Sequence, residues 1–201
     1  MNIGIDIRPL MTGHRTGVGE YTFELLNALF NIDKTNQYFL FYNSFNNVSK
    51  NIPQWKQDNV HCVVTRWPNK IFNIFLLLLK RPKLDQLKLK KNKINNSKIG
   101  NWKLEIGNLD VWFSPNFGFT ALSSSVKHIL TVHDLSFEFF PEFFTLKQRL
   151  WHKIINPKKQ CERADIILTP SENTKRDLVD YYGISPTKIR VIYPGVHCHS
   201  D

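Results

Sequence analysis

The most constraining part of this 201-residue chain is its last third, where strand, helix and strand follow one another with boundaries marked by residue type. Asp165 to Thr169 is apolar and β-branched, as a buried strand is. Ser171 stands where a helix N-cap belongs. Glu172 falls in the first turn, where the positive end of a helix favours a carboxylate. The helix is predicted to run to Tyr182, with Gly183 free to take the left-handed conformation that ends it and Pro186 preventing its continuation. Lys188 to Tyr193 is then a second strand.

Earlier segments repeat this alternation. Asn2 to Ile7 opens the chain as a buried strand and runs into Arg8-Pro9. Val18, Tyr21, Leu25, Leu29 and Ile32 recur in steps of three and four, the spacing of one helical face. Tyr38 to Tyr42, Val60 to Thr65, Asp110 to Phe113 and Lys127 to Val132 read as short strands. Asn69 to about Lys91 is a candidate helix broken at Pro82. Thr145 and Gln148 match a capping box, followed by Leu150, Trp151, Ile154 and Ile155 at helical spacing. Pro157 ends that helix, and Asn156-Pro157 can start another. No internal repeat is present. Hydrophobic residues make up 42% of the chain, enough for one packed core. The fold class expected is α/β, a mostly parallel sheet layered with helices.

Charge is unevenly placed. Between Lys80 and Lys103, eight Lys and one Arg stand against Asp85 alone, so this segment holds +8 of the formal +10. It is also low in complexity and rich in Asn. One reading is a solvated insertion. Another is a polybasic patch for anionic lipid, because the apolar run Ile71 to Leu79 directly precedes it, as in an interfacial helix. Nucleic acid is disfavoured as a partner: no aromatic residue lies between Phe75 and Trp102 to stack bases.

Cys62, Cys161 and Cys198 are widely spaced and odd in number, which fits a reducing cytosol rather than a disulfide framework. The N-terminus lacks the pattern of a signal peptide. The longest apolar run, Ile74 to Leu79, falls far short of the roughly 20 residues of a membrane helix. A soluble cytoplasmic protein is expected.

In open parallel sheets, ligands gather at the carboxyl ends of the strands. Polar and glycine residues recur there: the loop Arg8 to Gly19 after the first strand, Ser114-Pro115-Asn116, His133-Asp134 and Pro170-Ser171-Glu172. Gly13 to Gly19 makes chemical sense as a phosphate loop, since glycines let backbone N–H groups approach an anion at the start of a helix. It is not a P-loop, and Thr22 breaks the dinucleotide fingerprint. His133 either caps its strand or donates to a sugar hydroxyl or leaving-group oxygen, with Asp134 orienting the loop. The phenylalanines Phe137, Phe139, Phe140, Phe143 and Phe144 are expected to pack in the core or a loop, or to line an acceptor groove. No Asp-x-Asp pair suggests a metal-held diphosphate, and His197-Cys198-His199 reads as a chain tail rather than a metal site.

The motifs NIGIDIRPL (2–10), TGVGEYT (16–22), VWFSPN (111–116), TVHDLS (131–136), ADIILTPSENT (164–174) and KIRVIYPGV (188–196) together resemble, in order, the retaining glycosyltransferases of family 4, which have the GT-B fold. The resemblance covers nearly all of the chain outside about 80–107. It implies a Rossmann-like, acceptor-side N-terminal domain over residues 1–193, with a basic insertion at about 80–107 and an interdomain hinge beginning at 194–201. It implies transfer of a hexose, mannose among the candidates, from a nucleotide sugar to a glycan or lipid-linked acceptor, with no cofactor beyond that co-substrate and usually no metal. The catalytic candidates are His133 and Asp134. The substrate-binding candidates are Arg15, Gly17, Val18, Gly19, Asn116 and Ser171. Two departures accompany it. The family's donor-binding domain, with its Arg/Lys pair and paired glutamates, is missing from these residues, so they are expected to hold half a site and to be inactive alone. His197 also stands where the hinge motif usually has Asp. A non-catalytic module that binds a phosphorylated ligand through Gly13 to Gly19 is the alternative.

Overall fold

The computed structural model describes residues 1–87 and 109–195. Most of the basic segment and His197, Cys198 and His199 lie outside the described residues. The elements are β1 (Asn2–Asp6), α1 (Gly17–Ile32), β2 (Gln37–Asn43), β3 (Val60–Thr65), α2 (Asn69–Ile74), β4 (Val111–Ser114), β5 (Lys127–Thr131), α3 (Ser136–Phe139), α4 (Leu146–Ile155), α5 (Pro157–Arg163), β6 (Ile166–Thr169), α6 (Glu172–Asp180) and β7 (Ile189–Val191). The seven strands form one sheet in the order β3-β2-β1-β4-β5-β6-β7. Every neighbouring pair is parallel. This is the Rossmann-like α/β architecture expected of the sequence.

Alternation along the central strands assigns side chains to two cores. Tyr38, Leu40 and Tyr42 of β2 join Ile5, Leu26 and Phe30 on the α1 side of the sheet. Phe39 and Phe41 join Phe72, Leu76 and Trp112 on the α2 side. A strand apolar on both faces is what a sheet covered on both sides requires. Gly4 permits the closest contact: a Cβ there would stand 2.5 Å from Leu109 Cδ1 and 2.6 Å from the Trp112 ring. Trp112, opposite Gly4 in register, is buried and donates through Nε1 to Ser114 Oγ at 3.1 Å. Ser114 Oγ is in turn hydrogen-bonded to His128 Nε2 at 3.0 Å.

Several boundaries and faces differ from the sequence expectation. In α1 the fully buried positions are Gly19, Thr22, Leu26 and Phe30, one step round from the predicted stripe, and Ile32 is 82% exposed. The face was set by close approach at the small residues: Gly19 lies against Pro9, and Thr22 satisfies its hydroxyl on the Val18 carbonyl at 2.7 Å. The helix from Asn69 continues past α2 as a π turn over Phe75–Leu79 and stops at Lys80, before Pro82, where the backbone turns left-handed. The capping box at Thr145 and Gln148 forms, yet of the apolar residues on α4 only Ile155 is buried. Phe139, Phe140 and Phe143 are likewise exposed rather than packed in a core. Asn156, left-handed, closes α4 and opens α5, accepting from Lys159 N–H at 3.0 Å. Cys62 and Cys161 are free thiols, and burial pushes that of Cys161 up to about 12. No helix among the described residues is long and apolar enough to cross a membrane.

Two outcomes are expected. Gly4→Ala forces a methyl into the Trp112 contact and lowers unfolding free energy by about 2 kcal/mol, readable by urea denaturation. Burial also holds His128 down to about 4. Between about pH 6.5 and about 4 the unfolded chain therefore takes up a proton that the folded chain refuses, so stability falls as pH falls, by about 3 kcal/mol in full. Denaturation of His128→Asn across that window should show a shallower acid loss than the wild type.

Candidate active site

The sheet changes direction of winding between β1 and β4: β2 and β3 add on one side, β5 to β7 on the other. The crevice above the carboxyl ends of those two strands is where open α/β sheets bind ligands. Two cavities open there. One, of about 360 Å³, is lined by Asp6, Arg8, Asn43, Asn69, Asn73 and Asn116 among others. A neighbouring one of about 180 Å³ is lined by Val18, His133, Asp134 and His152. Asn116, Phe117 and Trp151 line both.

The floor of the first cavity is an ion pair. β1 ends at Asp6, and Arg8 opens the short 3-10 turn that follows it, which brings the guanidinium back onto the carboxylate. Arg8 Nε donates to both Asp6 oxygens, at 2.8 and 3.0 Å, and Nη2 donates to Oδ2 at 2.5 Å. The Arg8 backbone N–H adds a further bond to Oδ1 at 3.1 Å. The same Nη2 reaches the Phe119 carbonyl at 2.9 Å, tying the loop after β4 to the loop after β1. A planar guanidinium held this way is fixed at the cavity floor with its charge balanced by Asp6.

His133 is fixed from three sides. Its Nε2 lies 2.9 Å from the Pro115 carbonyl. A carbonyl only accepts, so Nε2 carries the proton and the neutral ring keeps an acceptor lone pair at Nδ1. Tyr21 of α1 presses edge-on against the ring, with centroids 4.8 Å apart, and its hydroxyl meets Thr131 Oγ1 at 3.4 Å. The His133 carbonyl accepts from Thr174 Oγ1 at 3.1 Å. Burial pulls the imidazole below its ordinary value, with smaller upward pulls from the Pro115 bond and Asp134. The ring is therefore neutral at physiological pH. Asp134 Oδ1 accepts from Ser136 N–H at 2.9 Å and from Ser136 Oγ at 2.5 Å, shaping the turn that follows His133.

The other sequence candidates divide. Val18 and Asn116 line the cavities with His133. Gly17 and Gly19 form the first turn of α1, capped by Thr16, whose Oγ1 accepts from Gly19 N–H at 3.3 Å. Their glycines have different causes. A Cβ on Gly19 would meet the Pro9 carbonyl at 3.2 Å, whereas Gly13 and Gly17 have nothing within 4 Å. The chain's own packing demands glycine only at Gly19. Arg15 folds back over the Phe23 ring at 3.6 Å and reaches Glu20 at 3.4 Å, and it lines neither cavity. Ser171 Oγ accepts from Thr174 N–H at 3.1 Å as the α6 cap. Ser171 thus supports His133 through Thr174 and does not line the cavities. Among the described residues, no three His, Cys, Asp or Glu side chains cluster closely enough to hold a metal ion.

Sequence reasoning missed the Asp6–Arg8 pair, Tyr21, Thr174 and His152 as parts of the site. The pair joins the last residue of β1 to the first of the turn after it, a contact set by that turn and not by strand spacing. His152 sits on α4 with its ring stacked on Phe137 at 4.1 Å, and its buried Nδ1 has no hydrogen-bond partner. No local signal reports where α4 comes to rest.

Gly17→Ala is expected to leave thermal stability unchanged or raise it by up to about 1 kcal/mol. Gly19→Ala should lower it by a similar amount through the Pro9 contact. Equal losses in a thermal melt would show that the fold itself needs both glycines.

Comparison with curated proteins finds no match. A family profile, by contrast, matches residues 16–200, which takes in the first turn of α1, Asn116, His133, Asp134 and the α6 cap. The chain belongs to glycosyltransferase family 4.

Proposed function

We propose that the protein transfers a hexose, mannose among the candidates, from a nucleotide sugar to a glycan or lipid-linked acceptor with retention of anomeric configuration, and that these residues form the acceptor-side half of the site. His133 carries the reading. Its imidazole is neutral, immobilised by Tyr21 and Pro115, and set in the wall of a cavity beside Asn116 and the open first turn of α1. Its Nδ1 lone pair suits a hydroxyl of the transferred sugar, which it would orient by accepting that proton. The N–H groups of the first turn of α1, at Gly17 where a Cβ meets nothing in the chain, suit the departing diphosphate. Charge developing on that group is stabilised by preorganised donors. Asp6 is held by Arg8 and Asp134 shapes the turn through Ser136, and the role proposed for these residues is to bind, orient and exclude water.

The donor half of the site belongs to a second domain, with the nucleotide sugar as the sole co-substrate and no cofactor or metal. The enzyme works in the cytoplasm, with peripheral contact through 71–103 to the anionic inner face of the membrane. The same glycine turn would serve a non-catalytic module for a phosphorylated ligand, and His133 separates the two readings. In the polypeptide that includes the donor domain, His133→Ala should lower kcat for transfer of labelled sugar by roughly a hundredfold. An unchanged rate would leave only the binding module. The 201 residues alone should transfer nothing. Because burial holds His133 below its ordinary value, kcat/KM should stay flat down to about pH 6.5 and fall only in more acid solution, as Nδ1 becomes protonated. A profile that falls already above neutrality would contradict a neutral acceptor at this position.

A further inference from the structure

A third cleft, of about 220 Å³, lies between the end of the π turn and the α4–α5 corner. Its walls carry Lys80, Lys159 and Arg163 together with Leu76, Leu77 and Ile154, and no acidic residue lines it. Gly118 and Phe119 line both this cleft and the cavity above the Asp6–Arg8 pair. The two spaces are therefore neighbours across a single loop. Lys80, which lines the cleft, takes a left-handed backbone conformation, φ 50°, which lysine seldom adopts.

The surface around the cleft is apolar with a cationic rim. On the helical segment that ends at Lys80, Ile71, Ile74, Leu78 and Leu79 are exposed; on α4, which supplies Ile154 to the cleft, Leu146 and Leu150 are. Between Asn69 and Leu84 the charged residues are Lys70, Lys80, Arg81 and Lys83, and between Leu146 and Cys161 they are Lys147, Arg149, Lys153, Lys158 and Lys159. Neither stretch contains a carboxylate; just beyond them come Asp85, buried and bonded to Ser123, and Glu162, exposed beside Arg163. A second copy of this face would be repelled, whereas an anionic, amphiphilic surface complements it in both charge and polarity.

Resting on the glycosyltransferase reading and narrowing its acceptor, we propose that this cleft binds the phosphate of a lipid-linked acceptor. The phosphate sits among Lys80, Lys159 and Arg163. The hydrocarbon chain leaves over Leu77, Leu78 and Ile154 towards the bilayer, and the polar end passes Gly118 and Phe119 into the cavity at Asn116. The π turn and α4 together form the docking face, so the surface extends well beyond the apolar run at 71–79.

Vesicle flotation of the 201-residue chain tests this independently of catalysis, using phosphatidylcholine alone, with phosphatidylglycerol, and with a prenyl phosphate monoester. Binding should be strongest with the prenyl phosphate. The double variant Lys159→Ala, Arg163→Ala, both residues being exposed, should weaken it roughly tenfold or more, and Lys159→Arg with Arg163→Lys should restore it. Leu78→Asp and Leu150→Asp should each reduce binding to every anionic vesicle. Equal binding to both anionic lipids, indifferent to the double variant, would overturn the proposal in favour of a general membrane face. Displacement by inorganic phosphate as effective as by prenyl phosphate would overturn it in favour of a free-anion site. Loss of binding with Leu78→Asp alone would remove α4 from the docking face and overturn the two-helix surface. No vesicle binding, with transfer to a water-soluble glycan intact, would sink this inference and leave the glycosyltransferase reading standing. Selective binding with no sugar transfer by the longer polypeptide would do the reverse.

Discussion

The divergence of the sheet between β1 and β4, tied by the half-buried Asp6–Arg8 pair, sets where the candidate site lies. Parallel strands covered on both faces direct all their carboxyl ends to one edge. At that edge the loops after β1 and β4 would separate without a tie. Arg8 supplies it, gripping Asp6 with Nε and Nη2 and the Phe119 carbonyl with Nη2. A half-buried ion pair with its hydrogen bonds satisfied gives position more than stability. The Gly118 loop, which the pair holds, is the wall between the acceptor cavity and the cationic cleft.

His133 is built by the same logic from the opposite side of the switch point. Its ring is held by Tyr21 on α1 and the Pro115 carbonyl after β4, and its backbone carbonyl by Thr174 on α6, three elements distant in sequence. Such overdetermination suits a group whose value lies in its orientation. Ser171, capping α6 through Thr174, acts on this histidine at one remove.

The fold was largely legible because buried parallel strands are apolar runs and their helices carry their own punctuation. Thr145 with Gln148, Ser171 and Gly183 all act as their residue types predict. What escaped was the choice of helix face. On α1 the contact was decided by Gly19 and Thr22, which let the backbone approach and which a count of apolar residues passes over. On α4 the apolar spacing was real but all of it except Ile155 stays exposed, since periodicity reports a face and not what covers it. At the candidate site, strand ends pointed to Asn116, His133 and Asp134, which line one cavity with Val18, whereas Gly17 lines neither cavity. The partners that fix them came from tertiary contacts such as Thr174 to His133, 41 residues apart. Arg15 was drawn away by a neighbour in sequence, Phe23.

The central claim is that the nucleotide sugar meets this domain at the carboxyl edge, between the first turn of α1 and His133. Its most direct test is titration of the isotopically labelled polypeptide that includes the donor domain with nucleotide sugar, followed by backbone amide and imidazole NMR shifts. The account predicts changes concentrated at Thr16 to Tyr21, at Asn116 and at His133 to Ser136. Changes centred on the opposite edge, at Asn36, Asp110 and Asp165, or none at any of these positions, would contradict it.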